Sequence, residues 1–440
     1  MTSREISDLI SFKLGRRNFL QAVLALGAAG AVSGCSSHAT PARSSVAAGI
    51  LNAGMGPIPG DHYLSSTPDT VLWGYVPGLH TPPTLQIRSG ETVTVDTVSH
   101  EGLLEDQGRD PETFFGHHGV ASSEVLEDAK DIAASYSRTP RDFDLDGPHV
   151  VTGPIFVEGA QPGDVLKVET LQTDLRVPYG VVSSRHGKGA LGIKPDGTPP
   201  AGIHISEVMP PTHTDGRETG IPTDYGNISV YTPVEDGHGI MDGGESKIRF
   251  PLRPFMGMMG VAFADGDPTA PQLNSIPPTL GGGNIDIRHL SAGSAFYLPV
   301  NTEGALFYTG DPHMGMGDGE VALTAMEGSL RTTFKLTVCK PGSGDAPSIA
   351  FNYPFGETDE HWIPIGLSDP DGSQGGGQNS DLNVAMRRAV VNALDFLESD
   401  LNITRSVAYA YLSAAADFTI SQVVDRTTGV HGLIRKADFI

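Results

Sequence analysis

Apolar and polar residues alternate along two stretches of the chain, at positions 85–97 and 154–170. The first reads LQIRSGETVTVDT and the second reads PIFVEGAQPGDVLKVET. A period of two indicates half-buried strands, and a turn rich in Gly or Pro interrupts each stretch. Short strands between such turns continue to about residue 340. We therefore predict a mainly β fold with a β-sandwich or barrel-like core over residues 59–345.

The period changes after a loop rich in Gly, Gln and Ser. Apolar residues then recur at helical spacing from Leu382 onward, which predicts a helix capped by Ser380 or Asp381. A second helix is predicted to begin after Thr404, a favourable N-cap residue. We interpret these two C-terminal helices, within residues 380–425, as a cover on the sheet or a contact between subunits.

The N-terminus is typical of an export signal. Arg16 and Arg17 precede a short apolar stretch that ends at Cys35, a pattern that resembles a twin-arginine signal and is too short to span a bilayer. The run VSGC resembles a lipobox, and simple cleavage without a lipid is the alternative. We predict a signal over residues 1–35, a flexible tether over 36–58 and recognition by the twin-arginine export machinery. The protein would be periplasmic or a cell-envelope lipoprotein, held to the membrane only by a lipid on Cys35.

Composition and charge exclude several classes of function. The chain has 440 residues, of which 38% are hydrophobic, with 55 Gly and 33 Pro, as expected of a loop-rich globular protein rather than a disordered one. A formal net charge of −23 argues against binding to nucleic acid or to an anionic membrane surface. Only two cysteines occur, Cys35 and Cys339, so neither a zinc finger nor a disulfide framework can form.

Candidate chemistry is concentrated at positions 304–320, which read GALFYTGDPHMGMGDGE. Asp311, His313, Asp318 and Glu320 lie among glycines that let the backbone turn sharply, so their side chains could converge. Such hard ligands indicate half of a metal-assisted hydrolytic site. Zinc takes nitrogen and carboxylate ligands and lowers the pKa of water, whereas calcium is favoured by a mainly carboxylate set.

Other polar residues lie at strand ends and leave alternatives open. His149 follows a proline at the start of a strand and is either a structural histidine or a ligand. Glu158, at the far end of that strand, is either a turn or solvent-facing residue or a base. The run GGGNIDI containing Asn284 either presents backbone amides to a carbonyl or forms a bulge. Neither a Gly-x-Ser-x-Gly elbow nor a His-Glu-x-x-His pair occurs.

Six motifs in one order carry a resemblance to a known family. They are HYL with DTVLWG, SGETVTVDTV, TGPIFVEGAQPGD, PFMG, GGNID and GDPHMGMGDGE, and in this order the chain resembles the acetamidase/formamidase family over about residues 59–430. The resemblance implies a β-rich, homo-oligomeric hydrolase that splits the carbon–nitrogen bond of a small amide with metal-activated water. Ammonia and a carboxylate would be released. The alternative is an exported lipoprotein that binds a small amide or a sugar without turnover.

The resemblance also implies roles for individual residues. The implied ligands of a divalent metal, with zinc ahead of calcium, are Asp96, His149, Asp311 and His313. The implied acid or base residues are Glu158, Asp318 and Glu320, and Asn284 would polarise the amide oxygen. Pro312, Met314 and Met316 depart from the family's usual loop, so we expect a larger or different amide than formamide or acetamide.

Overall fold

The computed structural model of the protein describes residues 49–185, 188–192, 202, 204, 227–265, 273–373 and 380–440. The export signal, Cys35 and the first part of the tether lie outside these residues, so the export and lipid assignments stay predictions. The first eleven strands are β1 (His62–Leu64), β2 (Val71–Trp73), β3 (Tyr75–Val76), β4 (Leu85–Arg88), β5 (Thr92–Asp96), β6 (Val150–Glu158), β7 (Val165–Leu175), β8 (Tyr179–Arg185), β9 (Asn227–Glu235), β10 (His238–Asp242) and β11 (Lys247–Pro251).

Strands also dominate the second half of the described chain. They are β12 (Phe255–Gly260), β13 (Leu273–Asn274), β14 (Gly282–Asn284), β15 (Ser294–Pro299), β16 (Phe307–Gly315), β17 (Met326–Glu327), β18 (Leu330–Cys339), β19 (Phe355–Glu357), β20 (His361–Leu367), β21 (Asp417–Gln422) and β22 (Gly429–Arg435). The α-helices among the described residues are α1 (Pro111–Gly116), α2 (Glu127–Ser135), α3 (Leu382–Ser399) and α4 (Arg405–Ala415). The prediction of a mainly β fold is confirmed.

Two large sheets share one hydrophobic core. The first has the strand order β1-β5-β18-β7-β15-β19-β20-β22-β21, and the second has the order β11-β10-β9-β8-β17-β16-β12-β14, with β6 also paired to β16, β2 and β4. Phe307 of β16 and Phe334 of β18 come from different sheets, yet their rings lie 5.5 Å apart in the buried core. The arrangement is sandwich-like, and neither sheet closes into a barrel.

The two alternating stretches contain the predicted turns, but their strands do not pair with each other. Before the turn at Gly90, β4 pairs with β6 of the second sheet, and after the turn β5 pairs with β1 and β18 of the first. In the same way, β6 and β7 lie in different sheets. Each turn is therefore a corner between the two layers. Alternation reveals a half-buried strand but not its partner, because partners are chosen by tertiary packing.

The two C-terminal helices begin where they were predicted, but the predicted helical segment 380–425 ends early, because β21 (Asp417–Gln422) follows α4. Asp381 caps α3 by accepting a hydrogen bond from the backbone N–H of Asn383 at 2.8 Å. Helix α3 packs on β20 and β22, and the contact needs a glycine, since a Cβ on Gly366 would lie 2.2 Å from the backbone of α3. Thr404 is the N-cap of α4 but makes no side-chain capping bond. Within the described ranges, every helix is too short or too polar to cross a membrane.

Candidate active site

Strand β16 carries the centre of the site. Its neighbours β12, β17 and β6 cover it on both sides, so Asp311 and His313 lie in a fully buried strand rather than in the glycine-rich loop that the sequence suggested. Being two residues apart, they lie on the same face of the strand. His313 Nε2 is 3.0 Å from Asp311 Oδ2.

The other oxygen of Asp311 faces two further histidines. Asp311 Oδ1 is 3.7 Å from His100 Nδ1 and 3.7 Å from His149 Nε2. His149 lies just before β6, and His100 lies four residues after the end of β5. Two imidazole nitrogens and one carboxylate oxygen therefore converge from three distant segments of the chain, within 4.8 Å of one another.

The remaining atoms of both histidines are engaged by other groups. Ser275 Oγ lies 2.9 Å from His149 Nδ1, and Glu101 Oε1 lies 3.4 Å from His100 Nε2. His100 Nδ1 and Asp311 Oδ1 are buried without a hydrogen-bond partner among the described residues. A hydrogen bond from Ser275 at His149 and the Glu101 carboxylate beside His100 hold the outer side of the two imidazoles, and outer partners of this kind, with inner atoms left free, are typical of metal-binding histidines. This set of two histidines and one carboxylate fits a divalent cation such as zinc.

A group of buried carboxylates completes the inner end of the site. Glu327 Oε1 is 3.1 Å from His313 Nε2, and Asp286, Glu320 and Asp425 lie nearby, each at most 7% exposed. Burial and the Asp286 carboxylate raise the pKa of Glu320 well above its ordinary value. Burial and Asp425 do the same to the pKa of Asp286. Protons or a cation must offset this excess of negative charge.

For His313 and Asp311, neighbouring charges outweigh burial in setting the pKa. Burial alone would lower the pKa of His313, but Glu327 and Asp311 outweigh it and raise that pKa well above its ordinary value. Burial would raise the pKa of Asp311, but His313 and His149 hold it below its ordinary range. Among the carboxylates of this cluster, Asp311 is therefore the one whose pKa favours the ionised form.

Backbone strain marks the same residues. Asp286, Asp311 and Glu320 have φ values of 54°, 52° and 46°, in the left-handed region that ordinary residues avoid. Gly257 of β12 lies against them, and a Cβ there would be 2.5 Å from Asp286 Oδ1 and 2.7 Å from Asp311 Oδ2. Such strain persists where the surrounding structure enforces it, and it is often found at functional sites.

A cavity of about 270 Å³ opens over the cluster. Its inner end is formed by His100, His149, Asp311, Glu320 and Glu327, with Asn284 and Asp425 beside them. Asn284 Oδ1 is buried and has no hydrogen-bond partner among the described residues. A small molecule in this cavity would therefore meet an ionised carboxylate, imidazoles and a free carboxamide.

The structure brings together five of the eight residues that the resemblance implied. These five are His149, Asn284, Asp311, His313 and Glu320. It does not bring Asp96, Glu158 or Asp318 to the same place. Glu158 is exposed at the end of β6 and accepts a hydrogen bond from Gln86, so its alternative interpretation as a solvent-facing residue describes its position.

Asp96 belongs to a buried ion network instead of the cluster. Its Oδ1 accepts a hydrogen bond from Arg331 at 2.6 Å, and its Oδ2 accepts one from Tyr63 at 2.6 Å. Arg176 lies 3.6 Å from Oδ2 and pairs with Asp128 at 2.7 Å. Both oxygens of Asp96 are thus occupied by donors, which leaves neither available as a metal ligand.

Asp318 faces away from Glu320 although only one residue separates them. Gly319 between them has φ 101°, which turns the chain, and Asp318 Oδ2 pairs with Arg288 at 2.6 Å. His289 and His431 complete a second group whose ligating atoms lie within 4.8 Å of one another. Arg288 and Arg253 both act on Asp318, and their positive charge disfavours a divalent cation at this group.

The buried imidazole of His431 is expected to make the free energy of unfolding depend on pH. Burial, followed by His289 and Arg288, lowers the pKa of His431 to about 3, whereas an unfolded histidine titrates near 6.5. Below about pH 6.5 the unfolded state binds a proton at His431 that the native state does not bind, so the free energy of unfolding decreases as the pH decreases. Between pH 7 and pH 5 we expect the free energy of unfolding of His431→Gln to decrease by about 2 kcal/mol less than that of wild type. Urea unfolding at the two pH values measures both decreases. Equal losses in both proteins would contradict this.

Four residues of the site were not identified as functional from the sequence. They are His100, Asp286, Glu327 and Asp425. His100 follows a predicted strand end, and Asp286 lies in the glycine-rich run with Asn284. Their places in the sequence therefore indicated a functional role only weakly. Glu327 and Asp425 lie outside every motif, and only the packing of β17 and of the turn before β22 places them here.

The departures in the family loop do not reach the cavity. Met314 is fully buried and packs against Gly328, where a Cβ would lie 2.4 Å from it. Pro312 pairs with Met256 in the sheet. Neither these two residues nor Met316 is among the residues that line the cavity, so none of the three forms the wall that a molecule bound there would contact.

Comparisons with known proteins agree with this architecture. The sequence profile of the Acetamidase/Formamidase family matches residues 267–434. An acetamidase of Mycolicibacterium smegmatis is 29% identical over 294 residues, which cover 59% of this chain and 71% of that protein. A formamidase of Methylophilus methylotrophus is 28% identical over 294 residues, 59% of this chain and 69% of that protein.

Solved structures show the same fold. The crystal structure of an acetamidase from Bacillus halodurans superimposes with a TM-score of 0.59 at 24% identity, covering 86% of this chain and 98% of that one. An acetamidase from Yersinia enterocolitica gives a TM-score of 0.61 at 22% identity, covering 89% of this chain and 96% of that one.

Proposed function

Because the chain is related to the acetamidase/formamidase family in sequence and shares the fold of solved acetamidases, we propose that it is an amidase. It hydrolyses the carbon–nitrogen bond of an amide and releases ammonia and a carboxylate. The observation that carries the proposal is the buried group at the inner end of the cavity, where ionised Asp311 faces His100, His149 and His313.

His100, His149 and Asp311 would hold a divalent cation. Their free atoms converge, and their other atoms are fixed by Glu101, Ser275 and His313. A cation held there supplies Lewis acidity to a carbonyl oxygen and makes water a stronger acid at neutral pH. Zinc is the ion that this mixture of nitrogen and oxygen ligands favours.

The chain's own residues supply binding and proton transfer. Asn284 Oδ1, buried and free, can accept an N–H of a primary amide and so orient its carbonyl group. The raised pKa of Glu320 keeps a proton available near neutral pH, and this proton can pass to the leaving nitrogen. Glu327, whose pKa burial also raises, is the second acid or base beside His313.

Metal removal tests the proposal. We expect the purified protein to release ammonia from at least one small amide in a screen that includes formamide, acetamide and longer primary amides. Treatment with a chelator should lower the rate by at least about 10²-fold, because the cation provides several kcal/mol of transition-state stabilisation. Adding back zinc should restore the rate.

A second variant separates the metal site from the reaction. Elemental analysis of His100→Ala should show loss of the bound metal, whereas Glu158→Ala, at an exposed residue outside the cavity, should keep it. Retention of metal by His100→Ala would show that the ligand set is wrong. Tight binding of an amide without any ammonia release would instead show that the protein is a binding protein, the alternative that the sequence left open.

A further inference from the structure

The geometry points to an amide that carries a carboxylate at its other end as the substrate class, with Arg426 as the residue that binds this carboxylate. This inference rests on the proposed amidase function and narrows it. A monoamide of a dicarboxylic acid has both groups, one at each end of a short apolar chain. Three features of the cavity support such a substrate: an arginine in its wall that has no partner among the described residues, the strained backbone of that arginine and the size of the cavity.

Arg426 differs from the other arginines that line the cavity. Arg141 lies 3.3 Å from Glu105 and 3.5 Å from Asp146, and Arg185 pairs with Asp106 at 2.6 Å. Arg426 is half-buried and, in the part of the chain that the structure describes, makes no hydrogen bond or ion pair. A partly desolvated guanidinium without a partner is costly, and a planar carboxylate is the ligand whose geometry it matches.

The backbone holds Arg426 in place at a further cost. Its φ is 64°, a left-handed conformation that usually belongs to glycine or asparagine. Gln422 fixes this turn, because its Oε1 accepts hydrogen bonds from the N–H groups of Val424 and Asp425 and its Nε2 donates to the carbonyl of Thr427. A strained residue that a surrounding hydrogen-bond network enforces is a typical functional position.

The cavity is larger than a simple amide requires. A water molecule needs about 10–15 Å³ of such volume, so about 270 Å³ far exceeds the need of acetamide, which has four non-hydrogen atoms. Apolar side chains line part of its wall, among them Leu104, Phe143, Ile276 and Val424. A few methylene groups would pack against this wall, with the amide at the inner cluster and the carboxylate at Arg426.

The reaction with such a substrate balances as an ordinary hydrolysis. Water adds its oxygen to the amide carbon, the carbon–nitrogen bond breaks, and one proton of water goes to the nitrogen, which leaves as ammonia. The new carboxylic acid then ionises, its proton is taken up by ammonia to give ammonium, and the product is a dicarboxylate. Two negative ends in one cavity repel each other, and this repulsion favours release of the product from the acidic inner end.

The test compares two primary amides of equal carbon number, glutaramate and valeramide, by ammonia release. For wild type we expect a higher kcat/KM with glutaramate. Arg426→Gln should lower the ratio of the two kcat/KM values by about 10- to 100-fold, mainly through a higher KM for glutaramate, because a charge-assisted contact is lost. Arg426→Lys should recover part of the ratio, since it restores the charge without the planar fork.

A matched control and a charge reversal make the result decisive. Arg435→Gln removes an exposed arginine outside the cavity and should leave the ratio as in wild type. Arg426→Glu should shift preference toward 5-aminovaleramide, whose far end is cationic. A ratio that Arg426→Gln does not change, or a wild type that prefers valeramide, would overturn the inference while leaving the amidase function intact. No ammonia from any amide would refute the proposed function itself.

Discussion

Replacing Asp311 with asparagine is expected to lower kcat/KM for the best amide substrate by about 10³-fold or more. Asp311 is the ionised residue shared by His100, His149 and His313. Asparagine keeps the shape of the side chain but removes its charge and one acceptor oxygen, so a cation would lose its anionic ligand and His313 would lose a partner. A loss of about 4 kcal/mol of transition-state stabilisation corresponds to this factor. Steady-state ammonia release, with metal analysis of the same sample, measures both effects.

The same substitution elsewhere serves as the control for Asp311→Asn. Asp417 is exposed at the start of β21, and Asp417→Asn should keep both activity and metal content. Near-wild-type circular dichroism and thermal unfolding of Asp311→Asn would show that the loss is chemical and not a failure to fold. Activity within about tenfold of wild type would show that Asp311 is not the centre of the site.

Replacing Asp96 with alanine is expected to lower the free energy of unfolding by about 3–5 kcal/mol, because a buried ion pair would lose one partner. Arg331 and Arg176 are at most 1% exposed, and Asp96 is the carboxylate that both contact. Asp128 still neutralises Arg176, so Arg331 accounts for most of the cost. Urea unfolding of wild type and variant at pH 7 measures the difference.

A surface pair gives the comparison for Asp96→Ala. Asp395 pairs with Arg405 where both side chains are more than 40% exposed, and Asp395→Ala should cost less than about 1 kcal/mol. Metal analysis distinguishes the structural role of Asp96 from the ligand role that the family resemblance implied. If the folded variant lost its metal while keeping wild-type stability, Asp96 would be a ligand and the ion network would be incidental.

The substrate inference connects two observations that have different origins. The unusual loop residues Pro312, Met314 and Met316 led us to expect a larger or different amide, yet they do not line the cavity. The structure supplies another reason for the same expectation, since Arg426 and the volume of the cavity accommodate a longer molecule with a charged end. The loop residues therefore do not explain why a larger amide would be preferred. The role of Arg426 would explain it, and a single substitution of Arg426 tests this role.

Local pattern determined much of the fold. The period of two identified β4 to β7, and the period of 3.6 with Asp381 as a cap identified α3, because these signals depend on which face of an element is buried. The short helices α1 and α2 were not predicted, since six and nine residues give too few turns for a periodic signal. Local pattern also could not show that β4 and β5 enter different sheets, because that depends on partners far away in the chain.

Some residues of the site were indicated by local sequence, and others were placed there by packing. Asp311, His313 and Glu320 could be proposed from the sequence because they lie close together in one glycine-rich run, and the resemblance gave roles to His149 and Asn284. The sequence suggested a loop for Asp311 and His313, and the packing of β16 between its neighbours shows that they lie on one face of a buried strand. The packing of distant segments places His100, and not Asp96, beside His149 and Asp311. The choice follows from buried charge: Arg331 and Arg176 need a carboxylate, so Asp96 neutralises them, and the free imidazole of His100 is left to face Asp311.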